Sequence, residues 1–104
     1  WVGGAPCADF RGLDLAALEV STSVNGRVAS RGCGANVIGS PLAALSWLAN
    51  ELARLGRGLE PGELVTTGCC MDILELAPGD SAEADFGPLG RVRVEFPVSD
   101  TMRP

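Results

Sequence analysis

The most regular pattern in the chain is an alternation near its end. Ala82, Ala84 and Phe86 alternate with Ser81, Glu83 and Asp85, and Val92, Val94 and Phe96 alternate with Arg91, Arg93 and Glu95. A period of two sends successive side chains to opposite faces of a pleated strand, so each run predicts a strand with one apolar and one charged face. Setting Ala84 opposite Val92 joins the apolar faces. The same register sets Glu83 opposite Arg93 and Asp85 opposite Arg91, so hydrophobicity and charge agree on one hairpin. A second hairpin is signalled by Asn25-Gly26, two residues that tolerate positive φ. Its first strand lies in 13–24, whose second half favours β structure, and its return strand in about 27–32. Simple two-residue pairing sets Val24 opposite Arg27 and Val20 opposite Arg31. That mixing of apolar and charged partners calls for a bulge, or for a sheet covered on both faces.

The period changes to that of a helix over 41–55. Leu42, Leu45, Leu48, Ala49, Leu52 and Leu55 make one apolar stripe, with Asn50, Glu51 and Arg54 mostly on the other side. Ser40 suits the N-cap, Pro41 the first helical position and Gly56 the stop. This helix is expected to pack on a sheet. Glu60-Pro61-Gly62 and Pro78-Gly79-Asp80 read as turns, with a short strand at 63–68 between them. Residues 1–12 form an irregular lead-in, where Trp1, Val2 and Phe10, with Leu13 beyond, have no obvious cover. No repeat or linker divides the chain, which reads as a single α+β domain over 1–104, mainly β, with one principal helix.

Thirteen acidic residues against eight arginines give a net charge of −5, without any lysine or histidine. With no basic cluster, the chain is not expected to bind nucleic acid or anionic membrane. No apolar run approaches the length of a membrane span. Cys7, Cys33, Cys69 and Cys70 form no CxxC pair and have no histidine to complete a zinc site. They read as reduced, small apolar residues of a cytoplasmic protein.

Candidate chemistry is sparse. Glu83 and Asp85 share a strand face and form the one close acid pair, but Arg91 and Arg93 across the hairpin account for them as a neutralised surface. Ser40, Ser46 and the cysteines lack a histidine or lysine base, and no helix begins directly after Cys69-Cys70 to lower a thiol pKa. GCGANVIG at 32–39 has neither dinucleotide-fingerprint spacing nor a Walker lysine, and reads as a strand-to-helix loop. No catalytic residue and no metal ligand is assigned.

Several segments taken in order resemble the fumarylacetoacetate hydrolase superfamily, in its 2-keto-4-pentenoate hydratase branch. Asn25-Gly26-Arg27-Val28 is similar to that family's NG-x-V hairpin, and GANVIGSPLAALSWLANELARLGRGLEPGELVTTG (34–68) to its WLAN-helix signature. PGDSAEADFGPLGRVRVEF (78–96) resembles its closing PGDxxxADFGxLG segment. The resemblance runs over about 13–96. It implies curved mixed sheets wrapped around a central site, and magnesium- or manganese-dependent hydration, C–C hydrolysis, decarboxylation or isomerisation of 2-keto acids. In such chemistry the metal polarises carboxylate and carbonyl oxygens. The family's Glu-x-Glu pair and third metal-binding acid fall upstream of the matched region, so no cofactor is assigned to this chain itself. Of the family's substrate loop, Thr67 and the backbone of Gly68 and Cys69 are the implied pocket contacts. Met71 stands where a hydroxyl residue is usual, and Ser40 where a histidine often precedes the helix proline.

Two functions follow. The chain is either the carboxy-terminal part of a hydratase or decarboxylase, or a stand-alone non-catalytic remnant that self-associates. The opening at Trp1 rather than methionine favours the first, with a missing amino-terminal segment as its partner. The length and the missing ligands favour the second, with a homodimer as the expected assembly.

Overall fold

The computed structural model describes residues 2–98; Trp1, counted above in the apolar lead-in, lies outside them. The elements are β1 (Glu19–Val24), β2 (Arg27–Cys33), α1 (Pro41–Arg54), β3 (Ser81–Asp85) and β4 (Arg91–Glu95), with short 3₁₀ turns at Gly34–Asn36 and Gly87–Leu89. The four strands form one open antiparallel sheet in the order β2-β1-β3-β4. Every pairing among the described residues is antiparallel, where mixed sheets were expected. The class is α+β, mainly β.

The closing hairpin pairs Glu83 with Arg93, Ala84 with Val92 and Asp85 with Arg91, in the register that apolar pattern and charge specify. The Asn25-Gly26 turn has φ of 51° and 83°, as a type I′ turn requires. Val24 faces Arg27 as expected, but the register shifts between Thr22 and Ser23, and Val20 pairs with Gly32 instead of Arg31. The bulge has a clear physical effect. Val20 is among the few buried apolar residues, and simple pairing would lay a guanidinium beside it at a heavy desolvation cost. The inserted residue moves Arg31 opposite Ser21, on the outer face. The turn is then stapled to β3: Asn25 N donates to the Ser81 carbonyl (2.8 Å), and Asn25 Oδ1 accepts from Ser81 N (3.0 Å).

Helix α1 begins as its sequence dictates. Ser40 Oγ accepts from Leu42 N at 3.2 Å, and Gly56 adopts φ 76° just past the end. Its packing differs from expectation. No residue of α1 is buried, Leu42 and Trp47 are exposed, and the helix does not sit firmly on the sheet. The strand expected at 63–68 is also absent, because no neighbouring strand among the described residues pairs with it. A strand without a hydrogen-bonded neighbour is only an extended loop. The flanking turns do form: Glu63 N reaches the Glu60 carbonyl (3.2 Å) and Asp80 N the Ala77 carbonyl (3.0 Å), with Gly62 and Gly79 at positive φ. Among the described residues, buried apolar side chains are confined to Val20, Val37 and Ala82. The radius of gyration, 16.4 Å, exceeds the roughly 13 Å of a compact 100-residue domain.

Candidate functional site

The alternation of the strands gives the sheet two unlike faces. Val20, Thr22 and Val24 of β1 lie on the inner face with Ser30 and Gly32 of β2 and Ala82 and Ala84 of β3. The segment carrying Thr67, Gly68 and Cys69 reaches this face through Cys70 and Met71. A Cβ at Gly32 would run into the Cys70 carbonyl oxygen and lie 2.9 Å from Met71 Cγ, so only glycine permits this approach. Asn36 fixes it further, donating from Nδ2 to the Cys70 carbonyl at 2.9 Å. Gly34, at the start of the 3₁₀ turn that carries Asn36, is equally confined, against the Leu15 carbonyl. Thr67 is half-buried, Gly68 lies beside Val37 with φ 118°, and Cys69 is exposed. The three expected pocket residues are thus contiguous on a loop anchored at its next residue.

Around that anchor the structure gathers polar groups that sequence reasoning missed. Thr22 Oγ1 donates to Met71 Sδ at 3.3 Å, and a thioether is a weak acceptor. Ser30, opposite Thr22 in the ladder, is 7% exposed, and its Oγ has no hydrogen-bond partner. Two under-satisfied hydroxyls therefore sit side by side on an otherwise apolar face. The signal available in the sequence was a Ser/Thr pair at inward positions, but the bulge that brings Ser30 inward hides it.

The remaining candidates resolve plainly. Burial pushes the Cys70 thiol above its ordinary pKa; its own backbone pulls the other way, while Cys69 and Cys33 push further up. A thiol held protonated is a poor nucleophile. Ser40 is occupied as the helix cap. On the outer face Arg91 bridges both acids of the pair, at 3.1 Å to Glu83 and 3.4 Å to Asp85, while Arg93 turns to Glu95 at 3.1 Å. The Asp85 carboxylate also accepts from Gly87 N at 2.9 Å. Among the described residues no group of three or more cysteines and acids comes close enough to hold a metal ion. The donor set present here does not fit magnesium or manganese. A groove of about 830 Å³ is lined by Leu13, Leu18, Val20, Arg31, Gly32 and Asn36 among others, and so reaches the Gly32–Asn36 anchor. Thr67, Gly68 and Cys69 do not line it. No helix among the described residues is long and apolar enough to cross a membrane.

Comparison with known proteins places this arrangement. Residues 3–96 match the sequence model described as fumarylacetoacetate (FAA) hydrolase C-terminal. A 2-keto-4-pentenoate hydratase from Paraburkholderia xenovorans is 39% identical over 95 residues, covering 91% of this chain and 35% of the relative. A 4-oxalocrotonate decarboxylase from Pseudomonas putida is 34% identical over 96 residues, covering 92% and 36%. A solved 4-oxalocrotonate decarboxylase from Pseudomonas putida G7, complexed with calcium and acetate, aligns with a TM-score of 0.75 at 37% identity, over 81% of this chain and 32% of that one. The chain spans about a third of the length of these relatives. The family match, the sequence identities and the structural alignment agree, and the chain belongs to the fumarylacetoacetate hydrolase family, corresponding to its C-terminal domain.

Proposed function

We propose that this chain is the carboxy-terminal portion of a metal-dependent 2-keto-acid hydratase or decarboxylase, and that by itself it is catalytically inactive. It supplies one wall of a substrate pocket, with the Thr67 hydroxyl and the Gly68 and Cys69 backbone turned to a keto acid. The 4-oxalocrotonate decarboxylase structures carry calcium with acetate or magnesium with adipate, in keeping with a divalent cation in the complete fold. The observation that carries the inactivity is the Arg91 bridge: the Glu83–Asp85 pair is already neutralised across its hairpin. Isothermal titration of the purified chain with Mg²⁺ or Mn²⁺ is expected to show no tight stoichiometric site. One such site, or metal-dependent loss of the dienol absorbance of 2-hydroxypenta-2,4-dienoate, overturns the reading. All four cysteines are free thiols, which fits a reducing, cytoplasmic setting.

A second reading, a non-catalytic module that forms a homodimer, is favoured by the free edges at β2 and β4 and by the exposed Leu42 and Trp47 of α1. Sedimentation equilibrium at micromolar concentration separates the two. A monomer mass throughout removes the dimer.

A further inference from the structure

Residues 64–76 form no backbone–backbone hydrogen bond among the described residues; of their backbone groups only the Cys70 carbonyl is engaged, by the Asn36 side chain, and Met71 Sδ accepts from Thr22. At the two ends of the segment exposure nevertheless alternates as in a strand, with the alternation interrupted over 68–73. Val65 and Thr67 are half-buried between exposed Leu64 and Thr66, and Leu74 and Leu76 are half-buried beside exposed Ile73 and Glu75. A period of two over 64–67 and again over 73–76 describes two short strand-like ends that lie with one face on the protein and lack a neighbour. Their exposed residues include two large apolar side chains, Leu64 at 73% and Ile73 at 85%, beside Thr66 and Glu75. From Leu64 to Met71 the segment carries no charge. The chain exposes 7862 Å², where a compact protein of its mass exposes about 5,500 Å². The difference is more than a standard protein interface buries.

We infer that residues 64–76 are a docking edge that takes up an extended, apolar-faced strand from the part of the hydratase fold lying outside this chain. The addition is by β-augmentation: main-chain hydrogen bonds give the affinity, and Leu64 and Ile73 meet the apolar side chains of the incoming strand. The occupant is chosen on shape and length. At a TM-score of 0.75 the chain keeps the form it has inside a decarboxylase about three times as long, so the surface left open matches the rest of that fold. The uncharged stretch from Leu64 to Met71 suits an interior seam. The inference rests on the hydratase reading for the identity of the occupant, and not on any catalytic role.

The test is amide hydrogen exchange on the full chain, alone at several micromolar concentrations, and on a fusion in which this chain replaces the matched region of the Paraburkholderia xenovorans hydratase. Residues 64–76 are expected to exchange nearly as an unstructured segment in the chain alone at every concentration, and about a hundredfold more slowly in the fusion. Protection of β1–β4 reports that the fusion is folded; should it be missing, the Pseudomonas putida decarboxylase serves as host for the same comparison. A segment left unprotected beside a protected sheet overturns the inference. Concentration-dependent protection in the chain alone also overturns it, since the occupant is then a second copy. Thr66→Pro adds an independent arm: it removes no hydrogen bond from the chain alone, but should lower the melting temperature of the fusion. Equal effects in both count against docking. Activity of the fusion is read separately, so a protected segment in an inactive fusion sinks the catalytic reading and leaves the docking edge standing.

Discussion

Gly32→Ala tests the anchoring of the 67–71 loop. The new methyl would run into the Cys70 carbonyl oxygen and lie 2.9 Å from both the Cys70 carbonyl carbon and Met71 Cγ. Met71 is flexible and can give way, but the carbonyl is backbone and must move with its loop. Lifting it forfeits the Asn36–Cys70 hydrogen bond, about 1 kcal/mol net. It also strips the half-buried Met71 from the sheet, about another 1 kcal/mol, since full burial of such a side chain contributes about 1.5–3. Keeping the loop in place instead costs about 1–3 kcal/mol of overpacking. The stiffer unfolded chain returns about 0.4–1 kcal/mol. A net loss of about 1–2 kcal/mol should follow. With a urea slope near 1 kcal/mol/M, the midpoint should fall by about 1–2 M, followed by far-ultraviolet circular dichroism. Gly58→Ala is the control, since a Cβ there meets nothing within 4 Å and its φ is ordinary; it should be neutral or slightly stabilising. Equal midpoints for the two variants would refute the close approach.

Three further predictions concern stability. Ser30→Ala removes a buried hydroxyl that has no partner, and should leave urea stability unchanged or raise it by up to about 1 kcal/mol; a clear loss would show that the hydroxyl is satisfied. Asn25→Ala deletes the bonds to Ser81 N and Asp80 and puts alanine, which visits the left-handed region less readily than asparagine, at φ 51°, and should cost about 2 kcal/mol; full retention of the thermal midpoint would argue against the staple. The Asp80 carboxyl is held below its ordinary range, first by the Ala77 N–H and then by the Asn25 amide. A depressed folded pKa contributes stability above the unfolded value, near pH 4, that is lost as pH falls through the folded one. The stability difference between the native chain and Asp80→Asn should therefore be constant at neutral pH and shrink in acid; a pH-independent gap between acid and alkaline denaturation series would contradict the assignment.

Local pattern was enough for much of this protein. The closing hairpin could be registered from its own side chains, because apolar and opposite-charge partners coincide only in one alignment. Asn25-Gly26 marked a turn that few other dipeptides adopt, and Ser40 with Pro41 marked where α1 starts, since caps and φ restraints act within one turn. The motifs around the WLAN helix and the DFG-x-LG hairpin carried the family. The tertiary structure decided whatever depends on a distant partner. The bulge is set by the need to keep Arg31 away from buried Val20, a conflict between two strands. The site's anchor joins Gly32, Asn36 and Cys70, residues up to 38 positions apart, and no local periodicity records such an approach. The stretch at 63–68 has strand composition yet no strand, and α1 has an apolar stripe yet no buried residue, for one reason. An amphipathic pattern states which face wants cover, while pairing and burial need a second surface that the described residues do not contain.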